Sequence, residues 1–198
     1  MNQFPRTSTT DSEPRWVWRQ HFPRAGYHLP HWILDETSLT DRLINASDNH
    51  FAVVRRRQAW LQPLPSERQL LGLGTRRRAL VREVQLECGG VPWVFARSVI
   101  PAATCTGALR HLRGLQNRSL GSLLFNRPNL IRSDFQLATI ALDSDYVPAD
   151  LPRGEKCWAR RSKFSIDRKD IMVSEVFLPA FQPWASSMLQ KLTAQSKL

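Results

Sequence analysis

The sequence predicts an α+β fold built on a largely antiparallel sheet. Three observations carry that prediction. Gly89-Gly90 sits between two β-rich runs, "RRALVREVQLEC" and "VPWVFARSVI", and supplies the positive φ values of a tight hairpin turn. A second pair, "CWARRSKFSI" and "IMVSEVFLP", is joined by the polar turn "DRKD". The remaining apolar-periodic segments are short, so strands follow one another through turns rather than through long crossover helices.

The elements follow in order. Residues 1–20 include "TSTTDSEPR", polar and proline-interrupted, and read as a flexible N-terminal tail whose end Trp16 and Trp18 dock onto the body. Residues 30–46 read as helical, with Pro30 in the first turn; "DETS" breaks the apolar spacing, so one helix and two short ones are equally compatible with it. "HFAVVRRRQAW" at 50–60 reads as a strand, and a Pro/Gly-punctuated connection with one helical turn at "ERQLL" follows. After the Gly-Gly hairpin, Leu109, Leu112 and Leu115 fit a short helix ending near Gly114, and Ser119 is placed to cap another through Phe125. "IRSDFQLATIAL" reads as a strand, and the second hairpin closes the fold. The body is expected to be a single domain over 21–183, with 184–198 a polar C-terminal tail.

Composition narrows the function classes. The chain has 198 residues, 42% of them hydrophobic, enough for a sizeable core without metal or disulfide support. No apolar run approaches the roughly 20 residues of a membrane span, and the N-terminal residues lack a secretory signal, so a cytoplasmic protein with no membrane insertion is expected. Cys88, Cys105 and Cys157 are widely spaced and read as reduced, partly buried side chains. No zinc spacing, phosphate loop, dinucleotide fingerprint or nucleophile elbow appears. The net charge of +11 is compatible with a nucleic-acid face, with steering of an anionic small substrate, and with a merely solvated, arginine-rich surface. Its scatter, without a nucleic-acid-binding signature, favours a small anion over nucleic acid.

Two ions break the strand patterns. Alternate strand residues share a face, which places Arg82 among Leu80, Val84 and Leu86. A guanidinium on an apolar face needs an acceptor. In the last strand Glu175 lies between apolar residues on either face. From pattern alone the two either neutralise each other or hold opposite ends of a polar ligand. Arg97 shares a face with Trp93, Phe95 and Val99 and reads as a supporting residue. The first amides of the helix at Leu120 lack internal partners and offer a contact for a carboxylate.

The blocks "LVREVQLECGGVPWVFARSVIP", "RSLGSLLF" and "ARRSKFSIDRKDIMVSEVFLP", with the earlier "WILDETSLTDRL", together resemble the chorismate lyase (chorismate–pyruvate lyase) family over residues 27–180. The resemblance implies an antiparallel sheet with short helices forming flaps over a buried ligand pocket. It implies cofactor-free conversion of chorismate to 4-hydroxybenzoate and pyruvate, the entry to ubiquinone synthesis, by a monomer. Matched block by block, Arg82 is expected to hold the ring carboxylate, Leu120 to offer its backbone beside it, and Glu175 to meet the hydroxyl end. Leu39 matches a flap position where some relatives carry methionine. Ala96 departs from a pattern in which glycine precedes the arginine matched by Arg97. Proton transfer by Glu175 and mere orientation of the hydroxyl are both compatible with the sequence. The effector-binding domains of GntR-type regulators share this fold, so a non-catalytic small-carboxylate sensor is the competing reading. The roughly 30 residues before the fold are too few for the DNA-binding domain such regulators carry.

Overall fold

A computed structural model describes residues 13–22, 29–141, 144–152, 156–181 and 183. The rest of the N-terminal tail and the C-terminal tail expected over 184–198 lie outside the described residues. The chain forms an eight-stranded sheet in which every pairing is antiparallel. The strands are β1 (Val17–Trp18), β2 (Phe51–Leu61), β3 (Ala79–Cys88), β4 (Val91–Pro101), β5 (Ile131–Arg132), β6 (Gln136–Ala141), β7 (Lys156–Ile166) and β8 (Lys169–Phe177). Their order is β1-β6-β7-β8-β4-β3-β2, with β5 beside β7. Among the described residues, four short helices accompany them: α1 (His31–Leu34), α2 (Leu39–Ala46), α3 (Pro65–Leu71) and α4 (Leu120–Phe125).

Local chemistry explains the elements. Gly89 and Gly90 turn the β3–β4 hairpin with φ of 59° and 76°. Asp167 and Arg168 do the same between β7 and β8 in left-handed conformations. The expected helical segment at 30–46 is split in two, because Asp35 turns back on itself and accepts the Thr37 amide. Ser38 then caps α2 and Ser119 caps α4 through their side-chain oxygens. The expected helix at 109–114 is a 3-10 segment, Gly107–Gly114.

The described residues of the stretch read as a tail over 1–20 are docked on the body at Trp16 and Trp18, as expected. Glu13 accepts from the Ser66 amide, Trp16 packs edge-on against Tyr146, and β1 pairs with β6. The run expected as one strand from 131 is broken after Arg132, where Ser133 donates its amide to the Lys163 carbonyl, and β6 starts afresh at Gln136.

The face carrying Leu80, Arg82, Val84 and Leu86 holds two separate apolar clusters. One joins α1 and α2 (Ile33, Leu39, Leu43) to Val84, Leu86 and Phe177. The other joins the 3-10 segment and α4 (Leu109, Leu112, Leu120, Leu124) to Leu80, Ile100 and Phe164. The seam between them contains the site. The opposite face packs Val81, Val99 and Met172 against Leu71 of α3. No helix among the described residues is long and apolar enough to cross a membrane.

Candidate active site

Register fixes where the two ions stand. Arg82, Ser98, Val173 and Ser162 form one row across β3, β4, β8 and β7. The neighbouring row on the same face is Val84, Ala96, Glu175 and Arg160. Two strand spacings and one row separate the Arg82 and Glu175 backbones, about 12 Å in all. Both side chains line one pocket, roofed by Leu39 and Thr40 of α2 and by Leu120, Gly121 and Leu124 of α4.

Arg82 is 2% exposed. Its Nη2 donates to the carbonyls of Gln116 (2.9 Å) and Arg118 (2.8 Å), in the loop leading to α4. Gln116 takes a left-handed φ of 48°, which costs a non-glycine residue energy and is sustained here by the Arg82 bond. The Arg82 Nε is buried without a hydrogen-bond partner, and among the described residues no carboxylate lies within ion-pairing distance. Burial, with help from the Arg55 charge, pushes the guanidinium down to about 10, so it stays cationic at neutral pH. A buried cation that lines a pocket and keeps an unsatisfied donor is chemically suited to an anionic acceptor.

Glu175 does not neutralise Arg82. Its partner is Arg160, directly opposite on β7, whose Nε donates to Oε2 at 2.5 Å. The Arg160 Nη1 donates to the carbonyls of Trp32 (3.0 Å) and Asp35 (2.6 Å), tying the α1 segment to the sheet. The Glu175 carboxylate is thereby held in one orientation beside the pocket.

The roof is two short helices touching at one polar contact. Thr40 Oγ1 and Ser119 Oγ lie 2.8 Å apart. Gly121 makes this approach feasible, because a Cβ there would sit 3.0 Å from Thr40 Oγ1. With the roof closed, the free volume inside is about 40 Å³. Cavities that admit benzene are nearer 150 Å³, so the closed pocket is too small for an aromatic ring.

Arg97 is elsewhere. It lies on the opposite face, where it pairs with Glu67 (2.7 Å) and with Glu83. Those carboxylates hold its charge more firmly than burial opposes it. Arg97 pins α3 to the sheet and does not touch the pocket. Sequence reasoning missed Arg160. Its signal was the pair Arg160-Arg161 inside a strand, since consecutive strand residues point to opposite faces and both arginines had to be buried.

A roofed pocket on one sheet face, with a buried guanidinium at one end and a fixed carboxylate at the other, has the form of a small-molecule site. The chorismate lyase family model matches residues 15–187, and the chain belongs to that family. A Methylococcus capsulatus protein named "Probable chorismate pyruvate-lyase" is 42% identical over 75% of this chain and 93% of its own length. Relatives of the same name from Azoarcus (41%; 82% of this chain, 90% of that protein) and Nitrosomonas europaea (36%; 85% and 97%) extend the match. Among solved structures, the C-terminal domain of PhnF aligns with a TM-score of 0.54 at 12% identity, covering 77% of this chain and 94% of that one. A ligand-binding domain from Bordetella bronchiseptica, assigned to the GntR regulators, aligns at 0.50 and 15% identity, covering 66% and 85%. Both likenesses concern the fold alone.

Proposed function

We propose that the protein is a cytoplasmic, monomeric chorismate lyase that converts chorismate to 4-hydroxybenzoate and pyruvate for ubiquinone synthesis, using no cofactor and no nucleic acid. The observation that carries the reading is that Arg82, buried and with an unpartnered Nε, lines a roofed, mostly apolar pocket. In this reading Arg82 receives the ring carboxylate, assisted by the backbone at Leu120, while Glu175 meets the hydroxyl end and Leu39 covers the ring.

The reaction balances without an added reagent. The ring carbon bearing the hydroxyl loses its hydrogen, and that electron pair enters the ring as it becomes aromatic. The ether C–O bond breaks, and its electrons leave with the enolpyruvyl oxygen. The released enolate takes a proton at its methylene carbon and becomes pyruvate. Aromatisation drives the step, so the protein's contribution is to hold one conformer, exclude water and position the carboxylate that faces the hydroxyl.

The test is purified protein with chorismate alone, following 4-hydroxybenzoate. Product well above the spontaneous rate is expected. Tight binding of aromatic acids without turnover would instead mark a non-catalytic sensor.

A further inference from the structure

Chorismate is a dianion, and Arg82 accounts for one carboxylate only. The other belongs to the three-carbon ether arm, which leaves the ring beside the hydroxyl and therefore at the Glu175 end. Arg160 is not placed to serve it. That guanidinium does not line the pocket and is held by Glu175 and the carbonyls of Trp32 and Asp35.

Arg132 is differently placed. It reaches the wall between the closed pocket and an open basin of about 530 Å³. Its guanidinium lies over Phe125 (5.8 Å) and Phe164 (5.0 Å), which line the closed pocket, and over Phe135 (4.3 Å), which lines the basin. Nε donates to Ser162 Oγ and Nη1 to the Glu36 carbonyl, leaving Nη2 without a hydrogen-bond partner among the described residues. Glu175 is close enough for its charge to act on Arg132. The acidic rim does not cancel the basin's positive character. Glu36 is paired with Arg19, which leaves the two cations Arg127 and Arg132 against the single carboxylate of Asp134.

We propose that Arg132 and the basin beside it form the subsite for the three-carbon arm. Arg132 holds the enolpyruvyl carboxylate of the bound substrate, and the basin is the route by which the released 2-oxo acid leaves. Phe125, the last residue of α4, is shared by the pocket and the basin, so parting of the roof joins the two spaces. This inference rests on the lyase reading and adds a residue to it.

The experiment compares two ligands in Arg132→Met, which keeps apolar bulk against the three rings. The variant should raise KM for chorismate by at least tenfold. It should change the dissociation constant of 4-hydroxybenzoate, which has no three-carbon arm, by less than twofold. Inhibition of the wild type by millimolar pyruvate should be lost in the variant, and Arg132→Lys should restore part of it. Retained 4-hydroxybenzoate binding shows that the variant is folded. If Arg132→Met does not fold, Arg132→Lys carries the same comparison: a raised chorismate KM with unchanged product affinity supports the subsite. An unchanged chorismate KM, or equal losses for both ligands, overturns it. An inactive wild type would instead overturn the lyase reading itself.

Discussion

Arg160 Nε donates to Glu175 Oε2 at 2.5 Å, so the carboxylate of the site is bound by an arginine that the pocket never exposes. The same guanidinium carries the carbonyls of Trp32 and Asp35. One side chain thus orients the acid and anchors the segment from which α2 springs.

The two halves of this pair should therefore respond unequally to mutation. Arg160→Met leaves a half-buried carboxylate and several carbonyls without partners, and should cost about 3–5 kcal/mol in urea denaturation. Glu175→Gln leaves Arg160 with its backbone acceptors. It should cost no more than about 1–3 kcal/mol while reducing kcat sharply. Equal losses of stability would show that the backbone bonds carry little.

At the other end, Arg82→Ala should weaken 4-hydroxybenzoate binding at least tenfold, as measured by calorimetry. A charge-assisted hydrogen bond contributes about 1.5–3 kcal/mol. Arg82→Lys keeps the charge but loses the fork that serves loop carbonyls and ligand together, and should recover only part of the affinity. Unchanged affinity in Arg82→Ala would remove this residue from the site.

The Thr40–Ser119 contact predicts how fast ligand escapes. Thr40→Val removes the bond between the roof helices, and Gly121→Ala pushes them apart. Either should speed release of 4-hydroxybenzoate about 2- to 10-fold in stopped-flow, the range for one hydrogen bond of 0.5–1.5 kcal/mol. Ser119→Ala should add a loss of stability of about 1 kcal/mol, because Ser119 also caps α4. Release rates unchanged in all three would place the gate elsewhere.

Asp35 gives the roof an acid limit. Burial pushes its carboxyl up, but hydrogen bonds from Thr37 and the charges of Arg42 and Arg160 outweigh this and hold it below the usual aspartate value. Its contribution is fully present above the ordinary value and is lost as pH falls through the lowered one. Arg42 pairs with Asp35 and lies 3.6 Å over the Trp32 ring. A tryptophan fluorescence change confined to acid pH is therefore expected, and Asp35→Asn should abolish it. An identical acid transition in Asp35→Asn would exclude this carboxyl as its cause.

Much of this arrangement was legible in the residues. Alternation set Arg82 and Glu175 on apolar strand faces, and both line the pocket. The hairpin turns were written in Gly89-Gly90 and in "DRKD". The two-residue strand β1 was not legible, because Val17–Trp18 has no alternation and becomes a strand only by pairing with distant β6. Arg97 shows the limit of face counting. An apolar face with one charge looks the same whether the partner is a ligand or a buried acid such as Glu67. The partners of Arg160 lie more than 100 residues away in α1 and 15 away in β8, and no local pattern announces them.

The seam between the two apolar clusters has a thermodynamic consequence. Each cluster is complete on its own side, and the row from Arg82 to Ser162 interrupts them with polar atoms. A flat aromatic acid seated there acts as a keystone, bridging two half-cores that the chain leaves apart. At a hundredfold excess over its dissociation constant such a ligand adds about 2.7 kcal/mol to folding. The melting temperature then becomes a gauge of occupancy.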